Sequence, residues 1–269
     1  MTVLQAILFG CLQGIAEFLP ISSSGHLALL KGLFGLEEVP QLFDVLLHIS
    51  SLLVILGVFR RRIGSLFAAL GRFLMRKKKD GDEQELRLII AIIAATFLTG
   101  VIGLALKNFS ANLPARAVAG LLLGTAGILL ATRLREKKYA PEDAPAQGPG
   151  LRTDIIAGRA QGIGVLPGIS RSGITISAAL FAGVRRPAAG EFSFLLAAPA
   201  ILGALLLSLR HTEELAAAVP PASLAAGMAA ALLTSYIALR VLLRIIRGGR
   251  LYLFAFYLIP VGILGLIFL

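Results

Sequence analysis

One cysteine in 269 residues, Cys11, lies in an apolar stretch, and the chain contains neither a Cys-x-x-Cys pair nor a His/Cys cluster. A disulfide framework, most thiol chemistry and a zinc site are therefore excluded, and Cys11 reads as packing. Charge is scarce too: only 15% of residues are Asp, Glu, Lys or Arg. The opening MTVLQAILFG carries no positively charged n-region and no small-residue cleavage site follows it, so the first helix is expected to stay in the mature protein. Hydrocarbon is abundant instead. With 57% hydrophobic residues and a mean hydropathy of +0.86, the chain reads as an all-α polytopic membrane protein.

Six apolar stretches approach the roughly 20 residues that a spanning helix needs: 43–59, 86–106, 115–131, 192–209, 224–243 and 251–269. Two further apolar regions, 3–34 and 155–184, are broken in the middle by Pro, Ser and Gly, so each half is too short to cross alone. They read as re-entrant helical hairpins. The net charge of +11 raises nucleic acid as a partner, but 18 of the 26 Lys and Arg fall in three clusters, 60–87, 133–152 and 240–250. Six alternating spans put all three clusters on one side, which the positive-inside rule makes the cytoplasm. No basic charge is left for a groove-reading domain, and both termini are expected outside. Within the first cluster, Ile63, Leu66, Phe67, Leu70, Phe73 and Leu74 recur at helical spacing among the basic residues of 61–79, the pattern of a helix lying on the anionic inner leaflet.

The chain repeats itself. Residues 13–26 (QGIAEFLPISSSGH) and 161–174 (QGIGVLPGISRSGI) match at a constant offset of 148 with seven identities and no gap. The polar, Pro- and Gly-rich stretch 136–150 divides a first half, 1–135, from a second, 151–269. Each half then holds one hairpin and three spans. Three is odd, so the second half enters from the opposite face and the repeat is expected to be of inverted topology.

Hairpins entering from opposite faces bring their polar turns together near the midplane. Ser22, Ser23 and Ser24 precede one short helix, Ser170 and Ser172 another; all are N-cap types. Two helix N-termini aimed at one spot, strengthened by Arg171 and approached closely through Gly25 and Gly173, make an anion site. The structural alternative is that these residues only satisfy and bend a re-entrant turn. Gln13 and Glu17, spaced i, i+4, share one helix face. A carboxylate at membrane depth needs a partner, so Glu17 points either to a divalent cation, Mg²⁺ or Ca²⁺, shared with Gln13 and phosphate oxygens, or to a plain ion pair with Arg171. His26 is a candidate acid/base or nucleophile. Its counterpart is the apolar Ile174, and Glu17 and Ser23 face Val165 and Arg171. One half thus holds candidate catalytic groups and the other an anion clamp, which favours an enzyme acting on a phosphorylated substrate over a transporter. Gly120, Gly124 and Gly127 read as a small-residue face for close helix packing, His48 and Ser50 as residues bordering the site or bonding between helices, and Pro199 as a helix break or kink.

At these residues the sequence resembles the undecaprenyl pyrophosphate phosphatases that confer bacitracin resistance, over the whole chain. Their first motif, Glu or Gln, then Glu four residues on, Phe-Leu-Pro and a Ser/Thr-rich turn ending in Gly-His, is similar to 13–26; their second, Pro-Gly-x-Ser-Arg-Ser-Gly, is similar to 167–173, with Thr175 two residues beyond. Many members carry Glu where this chain has Gln13, so a metal would meet a single carboxylate here. The resemblance implies hydrolysis of undecaprenyl pyrophosphate to the monophosphate carrier lipid of peptidoglycan assembly, in a bacterial plasma membrane, at a site open to the outer face. It implies catalytic roles for Glu17, Ser23, His26 and Arg171. Phosphate contacts fall to Gln13, Ser22, Ser24, Gly25, Ser170, Ser172, Gly173 and Thr175, and a divalent cation to Glu17 with Gln13. The nucleophile stays open among Ser23, His26 and water. The expected partners are a polyprenyl pyrophosphate lipid and the bilayer, with no nucleic acid and with a homodimer left open. A secondary transporter or polyprenyl-phosphate flippase with the same repeat is the alternative function, and a non-catalytic lipid-binding membrane protein a third.

Overall fold

Prolines, glycines and capping hydroxyls set where the helices start and stop. The computed structural model describes residues 1–35, 40–77, 79–136, 151–209, 213 and 217–268. Among these, eleven α-helices follow in order: α1 (Val3–Phe18), α2 (Ser23–Phe34), α3 (Gln41–Val58), α4 (Arg60–Leu74), α5 (Asp82–Ala111), α6 (Ala115–Glu136), α7 (Leu151–Ile163), α8 (Arg171–Phe181), α9 (Arg186–Ser208), α10 (Pro221–Arg247) and α11 (Ala255–Phe268), with a 3₁₀ turn at Leu251–Phe254 before the last. α1 starts on a capping box: Thr2 Oγ1 accepts from the Gln5 amide at 3.2 Å, and Gln5 Oε1 from the Thr2 amide at 2.8 Å. It stops because Leu19 precedes Pro20 and is held extended, at φ −63° and ψ 140°. Pro187 and Pro221 sit in the first turns of α9 and α10, where the missing N–H costs nothing.

The expected elements are largely present. Both broken regions form short helix pairs, α1–α2 and α7–α8. Five helices, α5, α6, α9, α10 and the 3₁₀ turn continuing into α11, are long and apolar enough to cross a membrane, so the chain is a multi-pass membrane protein. The sixth expected span, 43–59, corresponds to α3, which reaches spanning length only when counted with α4; the two are bent by 75° at Phe59. α4 is the expected amphipathic helix, ending at Leu74 rather than Lys79. Residues 137–150 of the expected linker lie outside the described residues. Pro199 does not break its helix, since α9 runs on through it to Ser208.

Packing between the halves is reciprocal. α1 lies along α10 and α7 along α5, the short helix of each half against the second long helix of the other, while α3 meets α9 and α6 meets α11. Glycines at the same offset of 148 make both contacts close: a Cβ on Gly10 would stand 2.1 Å from the Gly227 carbonyl oxygen, and one on Gly158 2.8 Å from Ala95 Cα. Small residues here let backbones meet where lipid supplies no hydrophobic drive. The face expected for this role, Gly120, Gly124 and Gly127, does not perform it within the chain. All three are exposed and an added Cβ would meet nothing within 4 Å.

Gly10→Val is therefore expected to cost ~2 kcal/mol or more, because backbone atoms cannot yield as side chains do. Gly124→Ala is expected to be neutral or stabilising by up to ~1 kcal/mol. Melting temperatures in one detergent would separate the two.

Candidate active site

The turns of the two helix pairs meet, and the same cap closes both. Ser22 Oγ accepts the Gly25 amide at 3.3 Å at the start of α2; Ser170 Oγ accepts the Gly173 amide at 3.1 Å at the start of α8. These residues are equivalent at offset 148. The turns also touch reciprocally: a Cβ on Gly25 would lie 3.0 Å from the Gly168 nitrogen, and one on Gly173 3.1 Å from Pro20 Cβ. Gly168 has a φ of +93° and no room for a Cβ, which would stand 2.3 Å from the Val118 carbonyl oxygen. Its N–H donates to Ser22 Oγ at 3.1 Å, so one hydroxyl serves both turns. Ser22 itself holds a left-handed φ of 70°, uncommon for serine and sustained by those two bonds.

Glu17, at the end of α1, gathers the charged and polar groups. Arg171, the first residue of α8, bonds Glu17 Oε1 from the other half of the chain. On Oε2 converge Ser23 Oγ at 2.9 Å, Gln13 Nε2 at 3.0 Å and His48 Nε2 at 3.2 Å. His48 reaches in from α3, its Nδ1 2.7 Å from the Asp44 carbonyl oxygen, so both ring nitrogens face acceptors. The carboxylate, 6% exposed, is compensated inside protein rather than by water. Gln13 Oε1 is buried with no hydrogen-bond partner.

The structure brings Gln13, Glu17, Ser23 and Arg171 together, with Ser22, Gly25, Ser170 and Gly173 shaping the two helix N-termini beside them. Ser24 is half-buried in the first turn of α2, and Ser172 Oγ lies 3.3 Å from Ser170 Oγ. Two expected residues are placed differently. His26 does not bond Glu17 or Ser23: its Nδ1 meets the Ser22 carbonyl at 2.9 Å and its Nε2 the Tyr257 hydroxyl at 2.9 Å, with the two rings stacked at 5.6 Å. A carbonyl only accepts, so Nδ1 carries a proton, and a neutral ring receives the Tyr257 O–H at Nε2. Thr175, expected on the phosphate, is buried with its hydroxyl on the Arg171 carbonyl at 2.7 Å and against Ser193 Oγ, where it braces α8 onto α9.

Sequence reasoning missed Tyr257 and Thr125. Thr125 Oγ1 donates to the Gly168 carbonyl at 3.0 Å and accepts the Ser170 amide at 3.1 Å, pinning the second turn to α6. The available signals were a phenol and a hydroxyl inside otherwise apolar spans. His48 was left open between bordering the site and bonding between helices; it touches Glu17 directly.

A profile of the family described as bacitracin resistance protein BacA matches residues 6–264. The chain belongs to that family. It is 49% identical to an undecaprenyl-diphosphatase of Treponema denticola over 98% of this chain and 96% of that protein. It is 40% identical to one of Desulfosudis oleivorans over 97% of each, and 39% identical to one of Carboxydothermus hydrogenoformans over 98% and 96%. Residues 6–264 of the family match contain every residue of the Glu17 cluster and both turns.

Ser22→Ala is expected to destabilise by ~2 kcal/mol, since it strands the Gly25 and Gly168 amides together. Ser170→Ala removes one cap and is expected to cost ~1 kcal/mol. Thermal unfolding in detergent checks the order, and equal losses would show that the Gly168 bond adds nothing.

Proposed function

We infer that this chain is an undecaprenyl-diphosphatase of the cell membrane, hydrolysing undecaprenyl pyrophosphate to undecaprenyl phosphate and inorganic phosphate. The activity recycles the carrier lipid of peptidoglycan synthesis, and its place in cell-wall supply accounts for bacitracin resistance. The observation that carries this reading is the junction of a buried carboxylate, a serine hydroxyl and an arginine with two helix N-termini, in a chain whose near-full-length relatives bear that enzyme's name. Nothing observed favours a transporter.

In the proposed mechanism Arg171 and the N-terminal amides of α2 and α8 bind the diphosphate and offset charge as it develops. Ser23 Oγ, already donating to Glu17, attacks the terminal phosphorus and passes its proton to that carboxylate. The bond to the bridging oxygen breaks and the lipid monophosphate leaves. Water then hydrolyses the phosphoserine. His26, held by Tyr257, relays protons, and His48 keeps Glu17 oriented.

The residues fit a divalent cation. Gln13 Oε1 is a buried acceptor without a partner beside the Glu17 carboxylate, the oxygen donors that Mg²⁺ or Ca²⁺ takes. No group of three or more His, Cys, Asp or Glu gathers among the described residues, so Gln13 and Glu17 would hold the ion together with substrate oxygens. When bound it would neutralise phosphate charge.

We also propose that the halves 1–135 and 151–269 are repeats of inverted topology, with α3 as a sixth span and the two short helix pairs re-entrant. Reciprocal packing and the shared caps support this. The basic clusters favour termini outside, and the family resemblance a site open to the outer face of the plasma membrane.

Purified protein in detergent is expected to release phosphate from a polyprenyl pyrophosphate and to lose that activity with EDTA. Glu17→Ala and Arg171→Ala are expected to lower kcat at least about 100-fold, and Tyr257→Phe about tenfold through His26. Rapid acid quench with labelled substrate is expected to trap phosphate on Ser23; a phosphohistidine would defeat the serine mechanism. Flux of lipid across sealed vesicles without hydrolysis would defeat the phosphatase itself.

A further inference from the structure

Away from the Glu17 cluster, arginines face an apolar groove between α3 and α10. α3 and α10 run side by side in the same direction: Phe43 and Leu47 pack in one cluster with Val219 and Ala231, and Ser51 Oγ lies 2.9 Å from Ser235 Oγ. Nearer their C-terminal ends a cavity of about 680 Å³ lies between them, walled by Leu53, Leu232 and Leu233 and rimmed by Arg60, Arg61 and Arg240. No residue that touches Glu17 lines it. The rim belongs to two of the three basic clusters, so it sits on the face those clusters mark as cytoplasmic.

The three arginines lack acidic partners among the described residues. Arg60 Nη1 donates to the Gly57 carbonyl at 3.3 Å, and Arg240 lies over the Tyr236 ring at 5.7 Å. Arg62, next in sequence, differs: it is clamped between Glu85 and Glu191. The walls, by contrast, are exposed leucines, Leu53 at 52%, Leu232 at 42% and Leu233 at 63%. A free anion leaves these walls bare; a zwitterionic headgroup brings a cation to a rim that holds only cations. The occupant that satisfies both is a chain carrying a net negative head.

We propose that this groove binds an anionic glycerophospholipid of the inner leaflet, its phosphodiester between Arg60, Arg61 and Arg240 and an acyl chain along Leu53, Leu232 and Leu233. The site is independent of the phosphatase reading and uses none of its residues. Each arginine near an anionic head contributes about a fivefold gain in association, so selectivity for an anionic over a zwitterionic lipid is the quantity to read.

The chain contains no tryptophan, so Leu233→Trp places a single fluorophore on the groove wall. In detergent micelles titrated with brominated phosphatidylglycerol or brominated phosphatidylcholine, quenching is expected to give at least about fivefold tighter association for the anionic lipid. In the Arg60→Gln, Arg61→Gln, Arg240→Gln background that preference is expected to fall to near unity with phosphatidylcholine quenching unchanged, which also reports an intact fold. A control of equal charge loss on the same face, Lys77→Gln, Arg87→Gln, Arg247→Gln, is expected to keep the preference. Equal quenching by the two lipids, or equal loss of preference in the control and the groove variant, would overturn the proposal, the latter assigning the effect to the general surface charge.

Discussion

A helix that starts inside packed protein leaves N–H groups with no water to receive them, and the rest of this structure follows from how those groups are met. α1 and α7 end short, and α2 and α8 begin where they end. Each new start is capped by a serine hydroxyl, and Ser22 is shared across the interface with Gly168. Two N-termini brought together concentrate positive potential at the junction. Glu17 answers that potential from the protein's own side. The ion pair with Arg171 ties the end of α1 to the start of α8, so the same contact that neutralises the junction holds the halves in register.

The two copies share architecture and differ in chemistry. Caps, turn contacts and glycine approaches recur at offset 148, whereas Glu17, Ser23 and His26 stand opposite Val165, Arg171 and Ile174. A duplicated scaffold sets positions accurately because each turn is built against the other. Once positions are set, exchanging single side chains places a carboxylate and a hydroxyl on one side and an arginine on the other. Catalysis of phosphoryl transfer asks for little more than that, since most of its barrier is lowered by placement and electrostatics.

How much of this was legible in the chain follows from which signals are local. The breaks within the two short helix pairs were visible because Pro20 and the serines act on their own neighbours. The Glu17, Ser23 and Arg171 cluster was visible because a constant offset aligns two motifs and because hydrocarbon penalises charge. Tyr257 and Thr125 were not, since a phenol or hydroxyl in a span has no value until its partner is known, and the partners lie 231 and 43 residues away. The glycines misled for the same reason. Gly120, Gly124 and Gly127 have the spacing of a packing face, yet the close approaches fall on Gly10 and Gly158, where the short helices cross the opposite half. Spacing states that a face is smooth; only the fold states what lies against it.

Gln13 and Gln161 make the division of labour concrete, because they are the same residue at equivalent positions. Gln161 Nε2 is taken by Thr99 at 3.2 Å and the Leu196 carbonyl at 3.3 Å, neutral partners that fasten α7 to α5 and α9. Gln13 Nε2 donates to Glu17 instead, and a donor to a carboxylate forms a stronger, charge-assisted bond. Each glutamine keeps a buried carbonyl oxygen without a partner. In one half that oxygen lies in the amide bonded to Thr99, in the other in the amide bonded to the Glu17 carboxylate. The same amide thus meets neutral partners in one half and a carboxylate in the other through its neighbours alone, and a glutamate at position 13 would add a second negative charge to a cluster in which Arg171 and His48 already face one carboxylate.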